Sequence, residues 1–265
     1  MMDTTKNLTL PMQKLIAELT RLFFTDDSLA PQVLEQRMRG TIGTIATTDN
    51  GLPLVTNDGH TRAIGIRFTR LPEGEETRHW DLLCSVANAL QTELSLTAPA
   101  VSIASDGGFC LWLSLAAPTP MARVTTFLRL LQAAYFPEMA LAPDQASVLA
   151  ALPPCLEHGS GKWAAFIHPD LGASFADGSG LEMAPPLAGQ AALLERLHSI
   201  SDTQLLHAIA TLQHAQGVAP VSSAPPQPSA GAGGAILLQD ATLEQIVRHL
   251  HSKNIEPTFR HLLPK

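Results

Sequence analysis

The chain has 265 residues, of which 45% are hydrophobic, 15% charged and 5% aromatic. This composition supports a folded core and excludes a wholly disordered or fibrous protein. The formal net charge of -7 excludes the overall cationic character that drives strong nonspecific binding to DNA, so any contact with nucleic acid must be local.

The cysteines and the N-terminal sequence indicate the cellular compartment. The three cysteines are odd in number and form no CxxC pair, which argues against a disulfide scaffold or a zinc ribbon. The first residues lack the basic and apolar segments of a secretory signal, and no apolar run approaches the roughly 20 residues that span a bilayer. We therefore expect a cytoplasmic protein without membrane contact.

Helical and extended patterns alternate along the first half of the chain. Apolar residues at helical spacing predict a first helix over residues 11–24. A hairpin around an Asp-Asn-Gly turn and extended chain over residues 62–70 follow. The stretch 76–96 predicts the best helix of the sequence, and two strands around an Asp-Gly-Gly turn lead into another helix over residues 120–135.

The second half of the main domain continues this alternation. Residues 147–154 and 162–169 are extended, and residues 191–215 are helical. Two strands, a helix, two strands and a helix predict an α+β fold, in which an antiparallel or mixed sheet carries helices packed on one face.

Composition divides the chain into four parts. Residues 1–35 form an N-terminal helical segment and residues 36–217 the main domain. Residues 218–235 are rich in Pro, Ala, Gly and Ser and form a linker that cannot bury a core. Residues 236–265 form a helical tail, too short to fold alone, that either docks on the main domain or binds a partner protein in a groove. The candidate partner-binding residues, on one helical face of the tail, are Leu243, Ile246, Val247 and Leu250.

Two patterns that could bind phosphate or metal are better explained otherwise. The motif HGSGKW at residues 158–163 lacks the first glycine and the final Ser or Thr of a phosphate loop, and an extended segment follows it, so we expect a tight turn between strands. The ten histidines are dispersed along the chain. We therefore predict neither a metal site nor a bound cofactor.

The stretch from Arg37 to Asp177 carries a family resemblance. Its segments RMRGTIGTIATTDNGLPLVTNDGHTRAIGIRFTR, SDGGFCLWLSLAAPTPMARVTTFLRLL, SVLAALPP and GASFAD resemble the archaeo-eukaryotic primase-polymerase superfamily, particularly the branch associated with TOTE conflict systems in mobile elements. The resemblance covers a little over half of the chain. It implies a modified RRM-like sheet and metal-dependent nucleotide transfer.

The resemblance also implies where a catalytic site would lie, but the residues there differ from the family pattern. Its first strand carries a DxD pattern, for which this chain has Arg67 and Thr69. Its hairpin histidine falls on Cys110, and Asp177 matches a later acid. A guanidinium keeps its charge and repels a divalent ion by several kcal/mol at about 4 Å, and sulfur is a soft ligand unsuited to Mg²⁺. These changes predict that catalysis is lost.

Arginines outnumber aspartates between residues 36 and 70, although the chain as a whole is acidic. A patch of this kind is typical of a surface that faces phosphates, with Arg62, Arg67 and Arg70 as the candidate contacts. The alternative is that these arginines serve helix ends and surface ion pairs. Both interpretations stay open at the level of sequence.

The expected function is therefore that of a catalytically inactive primase-polymerase-like subunit. It would bind or scaffold a nucleic-acid-handling complex in replication, a mobile element or defence. One alternative is an active metal-dependent DNA primase or polymerase. Another is a protein-interaction adaptor without contact to nucleic acid.

Overall fold

The computed structural model of the chain describes residues 9–25, 34, 54–70, 77–139, 152–157, 160–176 and 180–216. The helices in this part are α1 (Thr9–Phe23), α2 (Arg78–Thr92), α3 (Met121–Tyr135), α4 (Leu187–Glu195) and α5 (Asp202–Ala215). The strands are β1 (His60–Phe68), β2 (Ala100–Ile103), β3 (Phe109–Pro120), β4 (Cys155–Glu157) and β5 (Lys162–Ile167), and a 3₁₀ helix covers Pro169–Phe175. The fold is α+β, as predicted.

Among the described residues, the strands form one sheet in the order β1-β3-β2-β5-β4. Each neighbouring pair is antiparallel. Strand β3 lies between β1 and β2, which run parallel to each other and are connected through α2. This arrangement is a split βαβ unit. It brings the end of β1 next to the turn between β2 and β3.

One face of the sheet packs against α2, α3 and α5. Alternate residues of β1 point into this layer, because side chains along a strand alternate between the two faces. These residues are Ile64, Ile66 and Phe68, all fully buried. They meet helix residues that recur at helical spacing, including Leu83 and Leu90 of α2.

The opposite face is covered by α1 and α4, so the prediction of helices on a single face is wrong. Phe23 of α1 packs against Trp112 and Phe166, with ring centroids 5.9 and 6.4 Å away. Phe166 also exchanges two hydrogen bonds with Gln190 of α4: its N–H donates to the amide oxygen at 2.8 Å, and its carbonyl accepts from the amide nitrogen at 2.9 Å. The second face carries Trp112 and Phe166 itself, and apolar surface of this size is stabilised by removal from water.

The predicted helical stretch over residues 191–215 is two helices rather than one. Between them, Ile200 runs beside β3: its N–H donates to the Ser114 carbonyl at 2.7 Å, and its carbonyl accepts from the Ala116 N–H at 2.8 Å. Ser201 then starts α5 with a capping box, in which its side chain and that of Gln204 each bind the other's backbone N–H. The Ser-x-x-Gln spacing is the sequence signal for this second start.

The other described elements agree with the sequence. The helices over residues 11–24, 76–96 and 120–135 are confirmed as α1, α2 and α3, the second hairpin as β2 and β3, and the extended segment 162–169 as β5. The turn between β4 and β5 passes through Gly161, whose φ of 68° suits glycine. In the part of the chain that the structure describes, no helix has both the length and the apolar content to cross a membrane.

Several predicted segments lie outside the described residues. They are the Asp-Asn-Gly turn of the first hairpin, most of the extended segment 147–154, the linker at 218–235 and the tail at 236–265. In the region of that extended segment, the described strand is β4, which begins one residue after it, at Cys155.

Candidate functional site

Arg67 and Cys110, the candidate positions taken from β1 and β3, lie directly opposite each other in the sheet. The antiparallel register pairs Arg67 with Cys110, and it pairs Cys110 with Ser102 of β2. Opposite residues on neighbouring strands have Cβ atoms about 4.5–5.5 Å apart and share a face. The structure therefore brings the guanidinium and the thiol to one place.

The guanidinium of Arg67 forms an ion pair with Asp106, which lies in the turn between β2 and β3. The other carboxylate oxygen of Asp106 accepts a hydrogen bond from the Gly108 N–H at 3.1 Å. The two side chains of the ion pair are 41% and 50% exposed, so water and salt reach it. Among the described residues, Asp106 is an acid that the structure adds beside the candidate positions. Its sequence signal is the aspartate of the Asp-Gly-Gly turn.

The turn that carries Asp106 packs tightly against the end of β1. Gly107 has a φ of 84°, in the left-handed region that favours glycine. A Cβ atom on Gly108 would lie 2.9 Å from the carbonyl oxygen of Phe68, closer than side chains allow. The glycines thus let the turn approach β1 and hold Asp106 within reach of Arg67.

The Cys110 thiol is half-buried and donates a weak hydrogen bond to the Leu111 carbonyl at 3.5 Å. Burial raises the pKa of Cys110 to about 12, although the positive charge of Arg67 and a backbone hydrogen bond with Ile66 act in the opposite direction. Because the thiolate is the form that binds metals and attacks electrophiles, this cysteine is held in its inert form at neutral pH.

The remaining candidate positions differ in how far the structure describes them. Thr69 and Arg70 are exposed and follow directly after the last residue of β1. Thr69 lies beside the same turn, since its Cα would be 3.5 Å from a Cβ on Gly108. Asp177 lies outside the described residues.

Arg62 holds the end of α1 to the sheet. Its guanidinium donates to three backbone carbonyls: Leu115 of β3 at 2.9 Å, Phe24 at 3.0 Å and Arg21 at 2.9 Å. The last carbonyls of a helix have no partner within the helix, and a cation next to them also interacts favourably with the helix dipole. Arg62 therefore serves a helix end, the alternative that the sequence left open for these arginines.

The aromatic residues on the face that carries Arg67 and Cys110 are not open to solvent. Trp112 is buried, and its indole N–H donates to the Ser102 hydroxyl at 2.7 Å. Its ring also packs against Phe166, with centroids 6.4 Å apart, and Phe23 of α1 lies against both rings. Aromatic rings that stack on nucleic acid bases need an open face. Here α1 occupies the place that bases would take.

Within the described ranges, no group of three or more His, Cys, Asp or Glu side chains is arranged to hold a metal ion. The predicted partner-binding residues of the tail fall in the part of the chain beyond residue 216, outside those ranges. These residues are Leu243, Ile246, Val247 and Leu250.

Two comparisons of the sequence with known proteins return no relative. A scan of the sequence against protein-family models gives no match, and a search of curated proteins finds none either. A proposal of function therefore rests on the fold, the site geometry and the motif resemblance.

Proposed function

We propose that this chain is a catalytically inactive, primase-polymerase-like subunit that binds or scaffolds a nucleic-acid-handling complex in replication, a mobile element or defence. The observation that carries the proposal is the arrangement around Arg67. Its guanidinium lies opposite Cys110 and pairs with Asp106, at positions where the resemblance implies metal-binding acids and a histidine.

The topology supports the resemblance in part. The split βαβ unit of β1, α2, β2 and β3 is a component of ferredoxin-like sheets, the group to which RRM-like sheets belong. The order of elements around Arg67 and Cys110 also agrees with that of the resembled segments. This agreement supports a primase-polymerase-like ancestry for the fold, while function must be argued from the site.

The chemistry of the site opposes nucleotide transfer. That reaction needs Mg²⁺ or Mn²⁺ held by hard oxygen ligands between the attacking and leaving oxygens. Arg67 supplies a permanent positive charge instead and neutralises Asp106, the carboxylate that lies nearest to it in the described chain. Cys110 offers a protonated sulfur in place of an imidazole. A divalent ion would have to displace the guanidinium before it could bind.

In this proposal, only a few residues would contact nucleic acid. Arg62 is committed to the end of α1, which leaves Arg67 and Arg70 at the end of β1 to contact phosphates. Arg67 would exchange its carboxylate partner for a phosphate. Such contacts position a nucleic acid without reading its sequence, so specificity would come from another subunit. The tail at residues 236–265 supplies the contact with a partner protein.

The first test is a strand-synthesis assay with the purified full chain, a single-stranded template, labelled nucleotides and Mg²⁺ or Mn²⁺. We expect no template-dependent incorporation. Incorporation that Asp177→Ala abolishes would instead show an active primase or polymerase.

The second test addresses the tail. Ile246→Glu combined with Leu250→Glu places charges on its apolar face, and Gln245→Glu adds a charge beside that face as the matched control. We expect the double variant to lose a co-purifying partner protein that the wild type and the control retain. Retention of every partner by the double variant would remove the role of the tail.

A further inference from the structure

Helix α4 has no polar face. Its two polar residues are Gln190, which is buried against β5, and Glu195, which ends the helix. The exposed side of the helix carries Ala188, Gly189 and Ala192. A helix that is apolar all round is normally buried on every side. Part of α4 therefore presents to solvent a surface typical of an interface.

Gly189 and Ala192 of this exposed side, together with residues 193–197, form one wall of a cleft with a volume of about 450 Å³. The opposite wall consists of the chain leading into β2, residues 98–101, and the chain leaving β5, residues 166–169. The lining is apolar except for His168, Glu195 and Arg196. Both the size and the apolar lining are those of pockets that bind ligands or side chains.

The small side chains on the α4 wall of the cleft suit a helix as the bound partner. A Cβ atom added to Gly189 would meet nothing within 4 Å, so the cleft is open at this residue. Small residues on one helix allow the axis of a second helix to approach closely, and the second helix then inserts side chains spaced three and four residues apart. Gly189 and Ala192 are themselves three residues apart and both line the cleft.

The charges around the cleft define the chemistry of that helix. Glu195 forms an ion pair with Lys14 of α1 at 3.0 Å, so its charge is already compensated. His168 is engaged with Asp170, whose N–H donates to the imidazole at 3.3 Å. Arg196 is exposed, and no acid among the described residues pairs with it. Among the residues that line the cleft, the uncompensated charge is therefore the positive charge of Arg196.

We propose that this cleft binds an amphipathic helix of a partner protein, which seats its apolar ridge against Gly189 and Ala192 and presents a carboxylate to Arg196. The inference rests on the proposed binding function. It adds a contact surface on the main domain to the one assigned to the tail.

The test uses the full chain and a fluorescent synthetic helix with leucines at positions i, i+3, i+4 and i+7 and a flanking glutamate. Fluorescence anisotropy measures binding. We expect saturable binding by the wild type and a loss of at least about tenfold in affinity with Gly189→Leu, which fills the cleft. Ala188→Leu, on the same helix but outside the cleft, is the matched control and should bind like the wild type. Arg196→Glu should shift the preference to a probe with lysine in place of the glutamate.

These substitutions separate binding from folding. Leucine has a higher helix propensity than glycine, so Gly189→Leu should keep the circular dichroism spectrum and the thermal stability of the wild type. The proposal is overturned if the wild type does not bind the glutamate probe, or if Gly189→Leu binds it equally well. It is also overturned if the chain self-associates through the cleft, seen as a dimer that Gly189→Leu disrupts. Failure of the cleft proposal would not overturn the proposed function, which is decided separately by the absence of strand synthesis and by retention of a partner through the tail.

Discussion

Arg67 lies directly opposite Cys110 across the β1–β3 ladder, and its guanidinium pairs with Asp106 in the turn before β3. A fixed positive charge, a protonated thiol and a neutralised carboxylate therefore meet at one end of the sheet. Each of these three states is stabilised by its neighbours or by burial. A metal site at this end of the sheet would need several coordinated substitutions, because a change at Cys110 alone would leave the guanidinium in place, and a change at Arg67 alone would leave the protonated thiol.

The link between Arg62 and α1 predicts a large stability effect at a residue with a charged side chain. Arg62→Ala removes three hydrogen bonds to backbone carbonyls and should lower the free energy of unfolding by about 2–3 kcal/mol. Urea denaturation measures the change. The exposed Arg70→Ala is the control, with an expected change below about 0.5 kcal/mol. A loss equally small for Arg62→Ala would contradict the helix-end role.

If the chain binds nucleic acid as proposed, the ion pair between Arg67 and Asp106 predicts how the affinity for DNA responds to charge. Asp106→Asn leaves the guanidinium uncompensated and should raise the affinity for single-stranded DNA roughly threefold at low salt, since phosphate contacts release counterions. Arg67→Gln should lower the affinity. Mobility shifts at several salt concentrations measure both effects. Glu182→Gln, at an exposed residue, makes the same change in net charge, and an increase of equal size there would show that overall charge alone is responsible.

The raised pKa of Cys110 predicts a loss of stability at alkaline pH. Burial keeps the thiol protonated up to about pH 12 in the folded chain, whereas the unfolded chain ionises near the ordinary value of 9.0. Between these values the unfolded state has released a proton that the folded state keeps, so stability falls as pH rises, by up to about 1.4 kcal/mol per pH unit.

Cys110→Ala should make the decline of the unfolding free energy with pH shallower. Urea denaturation from about pH 8 to about pH 11 measures it, because this range brackets the ordinary pKa of a thiol. Tyr135, whose pKa burial and Glu93 also raise to about 12, contributes a decline of the same sign. Tyr135→Phe is therefore measured in the same way, to separate the contribution of Tyr135 to the decline from that of Cys110. An unchanged pH dependence in Cys110→Ala would show that the thiol is not held protonated by the fold.

Helix α1 packs over the sheet face that carries Trp112, and this packing predicts an effect on tryptophan fluorescence. Phe23→Ala removes a fully buried ring that packs against Trp112 and should cost about 3–5 kcal/mol of unfolding free energy. The emission of Trp112 should shift to the red as water gains access. Leu10→Ala on the same helix, where Leu10 is 69% exposed, is the control and should leave both stability and emission nearly unchanged. Similar spectra for Phe23→Ala and the wild type would argue against this packing.

Sequence patterns predict the elements whose buried faces repeat regularly. Helix α2 is an example, because Trp80, Leu83, Val86 and Leu90 recur at helical spacing without an interrupting Gly or Pro. The sequence also contains a signal that both faces of the sheet are covered. Strand β3 is continuously apolar from Phe109 to Leu113, a pattern typical of strands buried on both sides.

The contacts that decide the roles of the arginines could not be predicted from sequence. Arg67 reaches an acid 39 positions away in the sequence, and Arg62 reaches carbonyls 38, 41 and 53 positions away. Such contacts depend on strand register and helix placement, which local patterns do not encode. The excess of arginines between residues 36 and 70 is therefore compatible with phosphate binding and with internal pairing, and only the fold distinguishes Arg62 from Arg70.

The most direct measurement is Mn²⁺ binding by the purified full chain, followed by electron paramagnetic resonance of the free ion. We predict no saturable Mn²⁺ site whose occupancy depends on Asp106 or Asp177, because the guanidinium of Arg67 is paired with Asp106 and would repel a divalent ion there. Saturable binding in the wild type that Asp106→Asn or Asp177→Asn abolishes would show a metal site and contradict the proposed loss of catalysis.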